Sequence, residues 1–150
     1  MEFDAMVREA EKVINKSGAD EGVAFALFTN KRNLYIPFCT DSCCGFGKKF
    51  CESHNLLNDM IAADDTKIIK IACTFKQTTP AKQTGINIPC AWILKFIYSM
   101  DKENVNAEIL MSSNGTKTLK ACCPPNLEEY VKKAENIRHI PGNMNFENKL

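Results

Sequence analysis

Apolar residues recur every three or four positions near the start of the chain, with charged residues between them. The apolar positions are Phe3, Met6, Val7, Ala10, Val13 and Ile14. This spacing predicts an amphipathic helix over residues 3–16, because every third or fourth residue of a helix lies on the same face. Gly18 supplies the stop signal that ends it.

Two runs rich in β-branched and aromatic residues follow, Val23–Thr29 and Leu34–Phe38. The polar residues between them are typical of a turn, so the pair is interpreted as a hairpin. Pro37 places the second strand, or its end, at an edge of the sheet, since proline cannot donate a backbone hydrogen bond. Residues 39–49 fit neither periodicity and are predicted to be a loop over the end of the sheet.

The middle of the chain alternates between helical and strand patterns. Helices are predicted over residues 51–63 and 90–100, with a strand over residues 67–75 between them and a polar connector over residues 77–87. A strand that follows one helix and leads to another indicates an α/β sheet.

The dipeptide Asn114-Gly115 separates two further β runs, residues 107–112 and 116–121. Asn-Gly favours the tight turn of a β-hairpin. A last helix is predicted over about residues 127–134, followed by a tail. We therefore predict a single domain over residues 1–150, with a core over about 3–134.

Composition narrows the function classes. The chain has 150 residues, 45% of them hydrophobic, and 19 basic against 18 acidic residues give a net charge of +1. No basic field favours nucleic acid or an anionic membrane, and no apolar run approaches the length of a membrane span. The N-terminus has no signal-peptide pattern, so a cytoplasmic protein is expected. Its eight cysteines are expected to be thiols or metal ligands.

Two of these cysteines begin predicted helices. Cys51 starts the helix over residues 51–63, and Cys90 follows Pro89 at the start of the next helix. Partial positive charge at a helix N-terminus favours the thiolate, which is both a nucleophile and a metal ligand. The two thiols are expected to lie at one spot, as metal ligands or, for Cys51, as a nucleophile.

The order of elements, with a cysteine at each of these helix starts, resembles the cytidine deaminase family of zinc-dependent enzymes. Members carry Cys-Ala-Glu or His-Ala-Glu at the second helix and Pro-Cys-x-x-Cys at the third. Cys51, Asn55 and Pro89-Cys90 match this pattern. The resemblance covers residues 3 to 134 and implies a three-layer α/β/α fold with a mixed five-stranded sheet.

Two positions depart from the family pattern. Ser53 stands where the catalytic glutamate is expected, and Ile93 stands where the third zinc thiolate is expected. A serine hydroxyl cannot shuttle protons near neutral pH, and isoleucine cannot ligate a metal. Candidates to complete a zinc site with Cys51 and Cys90 are Cys43, Cys44, His54 and Cys73.

The resemblance also implies where a ligand would bind. The Asn-x-Glu segment that holds the sugar in the family aligns with Cys39-Thr40-Asp41. Asp41 keeps a carboxylate and Cys39 loses the amide, so both are candidate ligand-binding residues. Asp41 could equally cap the loop.

Two hypotheses about function follow. In the first, favoured because two chemical groups are missing together, the chain lacks standard deaminase activity and keeps a nucleoside-like ligand-binding or subunit-interaction role. In the second, it is a divergent zinc-dependent deaminase of cytidine or a related nucleoside, with Glu52 as a relocated acid/base. The family resemblance implies a homo-oligomer, a dimer or tetramer.

Overall fold

The computed structural model describes residues 1–39, 54–77, 83–87, 91–112 and 115–122. The helices in these residues are α1 (Phe3–Ser17), α2 (His54–Ala62), α3 (Ala91–Met100), α4 (Leu119–Cys122) and a 3-10 helix (Lys102–Asn106). The strands are β1 (Gly22–Thr29), β2 (Leu34–Tyr35), β3 (Phe38–Cys39), β4 (Ile68–Gln77), β5 (Gln83–Asn87), β6 (Glu108–Ser112) and β7 (Gly115–Thr118). The predicted helix over 127–134 lies outside the described residues.

The strands form one mixed sheet in the order β2-β1-β4-β6-β7. β1 and β4 are antiparallel neighbours at its centre, whereas β6 runs parallel to β4 and β7 antiparallel to β6. β2 and β3 share the outer side of β1, and β5 and β6 share the outer side of β4. Seven strands therefore occupy five positions across the sheet, which confirms the predicted α/β fold class.

The periodic segments were predicted correctly from their side chains. Met6, Ala10 and Ile14 of α1 are buried at the predicted helical spacing, and Gly18 ends the helix with a φ of 71°, a conformation that suits glycine. The predicted strand over residues 34–38 is divided into β2 and β3. Both pair with the outer side of β1, as the position of Pro37 indicated.

Two predictions were wrong. The connector predicted over residues 77–87 contains β5, which pairs with β4 from Cys73 opposite Asn87 to Gln77 opposite Gln83. The side chains of β5 are mostly polar and show no strand pattern, so the sequence alone did not predict this strand. Backbone hydrogen bonds to β4 hold it in the sheet. The strand predicted over residues 116–121 ends at Thr118, where a helical turn begins: the Thr118 hydroxyl accepts a hydrogen bond from Ala121 N at 3.3 Å, as helix-capping threonines do.

Alternation along the central strands divides the core into two clusters. The α1-side cluster consists of Met6, Ala10, Ile14, Ala24, Ala26, Phe28, Ala72 and Leu110. The α2/α3-side cluster consists of Phe25, Leu27, Cys39, Leu57, Met60, Ile68, Ile71, Cys73, Ile93, Leu94, Phe96, Ile97, Tyr98, Ala107, Ile109 and Leu119. Among the described helices, α1 covers one face of the sheet, and α2 and α3 cover the other. Each central strand contributes to both clusters, because successive strand residues point to opposite faces.

Within the part of the chain that the structure describes, no helix is long and apolar enough to span a membrane.

Candidate functional site

The starts of α2 and α3 lie at the same end of the sheet. α2 (His54–Ala62) is joined to the start of β4 (Ile68) by a short link, and its Leu57 and Met60 pack in the cluster on the sheet. A helix that packs on the sheet and connects so directly to the next strand runs back along it, so α2 begins towards the other end of β4. Asn87, which precedes α3, pairs with Cys73 in the second half of β4. We call this end of the sheet, where β4 ends and α2 and α3 begin, the helix-start end.

On the face covered by α2 and α3, the buried side chains described at this end are apolar groups and thiols. Cys39 ends β3 and pairs with Val23, and Cys73 pairs with Phe25, so both cysteines lie on the face covered by α2 and α3. Cys39, Cys73 and Ile93 have no solvent-exposed surface. All three belong to the α2/α3-side cluster, so these residues of the helix-start end are hydrophobic core.

Of the site residues predicted from sequence, the structure describes Cys39, Cys73 and the backbone of His54. His54 is the first residue of α2, at the helix-start end. Asp41, Cys51, Glu52 and Cys90 lie outside the described residues, as do Cys43, Cys44 and Ser53. Their assigned roles stay predictions.

The described residues do not fit a three-ligand zinc site. Ile93, at the position predicted for the third thiolate, is fully buried among apolar side chains. Among residues 1–39, 54–77, 83–87, 91–112 and 115–122, no three His, Cys, Asp or Glu side chains gather in a group that could hold a metal. A zinc site would need donors from outside these ranges, because structural and catalytic zinc takes at least three protein ligands.

The opposite end of the sheet, which we call the polar end, contains buried polar side chains. Asn104, only 1% exposed, lies in the 3-10 helix that follows α3. Its Oδ1 accepts a hydrogen bond from Ile68 N at 2.8 Å, and its Nδ2 donates to Thr66 O at 2.8 Å and to Ile97 O at 2.9 Å. This one amide joins the end of α3 to the start of β4.

Asp65 is the second buried polar residue of this end, at 2% exposure. Its Oδ2 accepts hydrogen bonds from Asn33 Nδ2 and from Tyr35 OH, both at 2.8 Å. Burial would raise the pKa of Asp65, but hydrogen bonds from Asn33, Thr29 and Tyr35, with the charge of Lys31, lower it below its usual value. The hydrogen bond to Asp65 raises the pKa of Tyr35.

Comparison with known proteins identifies the fold. Three solved structures of cytidine deaminases superpose on most of the chain. The Bacillus anthracis enzyme has a TM-score of 0.64 and 13% sequence identity, with 87% of this chain and 93% of that chain covered. The Mycobacterium leprae enzyme has a TM-score of 0.59 and 15% identity, and the Burkholderia pseudomallei enzyme has a TM-score of 0.56 and 17% identity; each match covers 83% of this chain and 98% of the other chain. The fold is that of cytidine deaminases. No family model and no curated protein matches the sequence.

Sequence reasoning did not identify the two residues that organise the polar end. Asn104 follows a predicted helix and Asp65 precedes a predicted strand, so both looked like ordinary loop residues. Their burial depends on which segments meet in the fold. A buried amide or carboxylate at such a junction leaves no periodic signal, because a single residue has no period.

Proposed function

We propose that this chain is a cytidine-deaminase-like protein without standard deaminase activity, which keeps the fold to bind a nucleoside-like ligand or to contact other subunits. Two features support the proposal: the residue at the position predicted for the third zinc ligand, and the residue at the position predicted for the catalytic glutamate.

The buried side chain of Ile93 is the observation that carries this proposal. A family member would place a zinc thiolate here, whereas this chain places a hydrocarbon with no exposed surface inside the α2/α3-side cluster. Isoleucine offers no lone pair, and its burial among Leu57, Leu94 and Ile97 makes it part of the packing that holds α2 and α3 on the sheet. A core residue therefore stands at the position predicted for the third ligand.

Ser53 supports the same conclusion from the sequence. Counting from Cys51, it occupies the place of the glutamate that carries protons in the family. A hydroxyl neither accepts nor releases a proton readily at neutral pH, so the acid/base step has no group at that place. An active enzyme would need one replacement for the glutamate and another for the third thiolate.

Zinc content is the first experiment. We expect elemental analysis of the purified protein to find well below one zinc per chain, with Cys90→Ser unchanged from wild type. Ile93→Cys is the matched variant that restores the missing thiolate, and a gain of zinc in it would show that this position limits binding. About one zinc per wild-type chain, lost in Cys90→Ser, would contradict the proposal.

Ammonia release tests activity directly. We expect no ammonia from cytidine or deoxycytidine at concentrations where an intact cytidine deaminase turns over. The competing hypothesis has Glu52 as the acid/base. Turnover that disappears in Glu52→Gln and persists in Glu103→Gln, a remote exposed control, would establish that hypothesis instead.

The two branches of the proposal differ in their partner. Cytidine binding without turnover, measured by calorimetry, would support the ligand-binding role. A dimer or tetramer by light scattering, with no cytidine binding, would support the subunit-interaction role.

A further inference from the structure

Lys70 lies where the start of α1 meets the central strand β4. Its Nζ donates a hydrogen bond to Met1 O at 2.9 Å and lies 5.1 Å from the centre of the Phe3 ring. A lysine ammonium at this distance over an aromatic ring is attracted to the face of the ring. Two contacts from one β4 side chain therefore hold residues 1–5, which we call the α1 start, against the sheet.

The helix itself stabilises the α1 start only weakly. Glu2 stands at the N-cap position, where its side chain makes no capping hydrogen bond among the described residues. Met6 N donates to Glu2 O at 3.1 Å and closes the first turn, whereas the amides before Met6 have no acceptor within the helix. The charge of Lys70 also opposes the helix dipole, because the N-terminal end of a helix is positive. The α1 start is therefore held by the two contacts of Lys70 against an unfavourable dipole.

A second partner for Lys70 lies on the neighbouring strand. β6 runs parallel to β4, and Lys70 is opposite Glu108. Glu108 precedes Leu110 of the α1-side cluster by two positions, so its side chain is on the same face of the sheet as Lys70. Neighbouring strands lie about 4.8 Å apart, and lysine and glutamate side chains span that distance. Glu108 is exposed, so Lys70 reaches it by a change of its own rotamer.

We propose that Lys70 is a latch with two positions. In the closed position, which the structure shows, it binds Met1 O and the Phe3 ring, and the α1 start lies on the sheet. In the open position its ammonium pairs with Glu108, and the α1 start leaves the sheet. Opening uncovers the part of the α1-side cluster against which Phe3 packs, while Met6, which has no exposed surface, stays buried.

The closed position is the more populated one. It has a charge-assisted hydrogen bond and a contact with an aromatic ring, whereas the open position has one exposed ion pair, and such pairs contribute little. Opening is then a local event, which needs no unfolding of the sheet. It is independent of which ligand or subunit the protein binds.

Amide hydrogen exchange of the full chain, resolved by residue with NMR, tests the latch. The Met6 amide reports opening, because its acceptor Glu2 O belongs to the α1 start. Lys70→Met keeps the aliphatic stem and removes the charge, so we expect this amide to exchange about five- to tenfold faster, as loss of a hydrogen bond from a charged group predicts. Glu108→Gln removes the partner of the open position and should slow the same amide by about twofold.

Lys76→Met is the matched control. Lys76 lies on the same strand and the same face, and its Nζ donates to Ala19 O at 3.2 Å, beyond the other end of α1. Its loss should leave the exchange of the Met6 amide unchanged. Lys70→Arg, which keeps the charge, should exchange within about twofold of wild type. The double variant Lys70→Met/Glu108→Gln should exchange as Lys70→Met does, because Glu108 acts only through Lys70.

Each departure from this pattern overturns the latch. An unchanged Met6 amide in Lys70→Met shows that Lys70 does not hold the α1 start. An effect of Glu108→Gln that persists in the double variant shows that the two side chains act independently. Equal acceleration of the Met6 amide and of the amides of β1 and β4 shows that the α1 start opens only with the whole chain. Glu108→Gln changes an exposed residue, so exchange that is not slowed in this variant overturns the open position even if Lys70→Met does not fold.

Discussion

The two ends of the sheet are built from different chemistry. At the polar end, Asn104 and Asp65 are buried and take part in five hydrogen bonds of 2.8 to 2.9 Å with groups on neighbouring segments. At the helix-start end, the buried side chains that the structure describes on the α2/α3 face are thiols and hydrocarbons, among them Cys39, Cys73 and Ile93. Polar groups hold one end, and apolar packing holds the other.

The chain shares its fold with structural neighbours at 13 to 17% identity. The residues that join β4 to Tyr35 and to α3 lie at the polar end, away from Cys39, Cys73 and Ile93. Chemical groups at the helix-start end can therefore change without breaking the hydrogen bonds that hold these elements together. The following predictions test this separation, from the largest expected effect to the smallest.

Asn104→Ala should have the largest effect. It leaves the Ile68 amide and two carbonyl groups buried without a partner, and each buried unsatisfied group costs about 1 to 3 kcal/mol, so we expect a loss of about 3 to 5 kcal/mol. The measurement is the free energy of unfolding from urea denaturation. Asn106→Ala, at an exposed position of the same 3-10 helix, should change it by less than about 0.5 kcal/mol. A loss below about 1 kcal/mol for Asn104→Ala would show that the polar end is not held as described.

Ile93→Ala tests the helix-start end. Truncating a fully buried isoleucine should destabilise the protein by about 2 to 4 kcal/mol, through lost burial and the cavity left behind. The same urea experiment measures it, and Ile61→Ala, at a position 47% exposed, is the matched control with a much smaller expected loss. If Ile93→Ala were as mild as Ile61→Ala, the side chain of Ile93 would not contribute to the core as described.

Asp65 should give the polar end a pH dependence. Because the folded-state pKa is lowered, the stabilisation is fully present above the unfolded pKa of about 3.9 and is lost as pH falls through the folded value. Asp65→Asn should destabilise the protein by about 2 kcal/mol at pH 7, since hydrogen bonds to a charged group are lost, and should flatten the stability profile in acid.

Urea denaturation between pH 2 and 7 gives that profile. The adjacent Asp64→Asn is the control: Asp64 is exposed and has a φ of 54°, which asparagine adopts readily. If the free energy of unfolding of Asp65→Asn still falls in acid as it does in wild type, another group produces the pH dependence.

Thr74→Val should have the smallest effect. Thr74 is 1% exposed, and among the described residues its hydroxyl has no hydrogen-bond partner. Replacing that hydroxyl with a methyl group should leave stability unchanged or raise it by up to about 1 kcal/mol. Thr29→Val is the contrast, because the Thr29 hydroxyl accepts a hydrogen bond from Asn33 N at 3.3 Å. Destabilisation by Thr74→Val above about 1 kcal/mol would reveal a partner outside the described residues.

Part of the candidate site could be predicted from the chain alone, and part could not. The pattern of β4 and α3 predicted that Cys73 and Ile93 lie on regular elements. The prediction that Cys51 and Cys90 lie at one spot falls outside the described residues. The pairing of Asn87 with Cys73 at the helix-start end was not predicted, because β5 carries no hydrophobic alternation and is held by its backbone. Such a strand can be identified only from the structure, where its backbone pairs with a neighbouring strand.

The sequence by itself determined the elements that have a period and the faces they present: α1 from its apolar stripe, β1 and β4 from their β-rich runs, and the hairpin order around Pro37. Only the tertiary structure decided which loop residues would be buried. Asn104 and Asp65 are polar residues between elements, and their partners at Ile68, Ile97 and Tyr35 lie 7 to 36 residues away along the chain. Local patterns report local geometry, whereas a hydrogen bond between distant segments exists only after the sheet has brought them together.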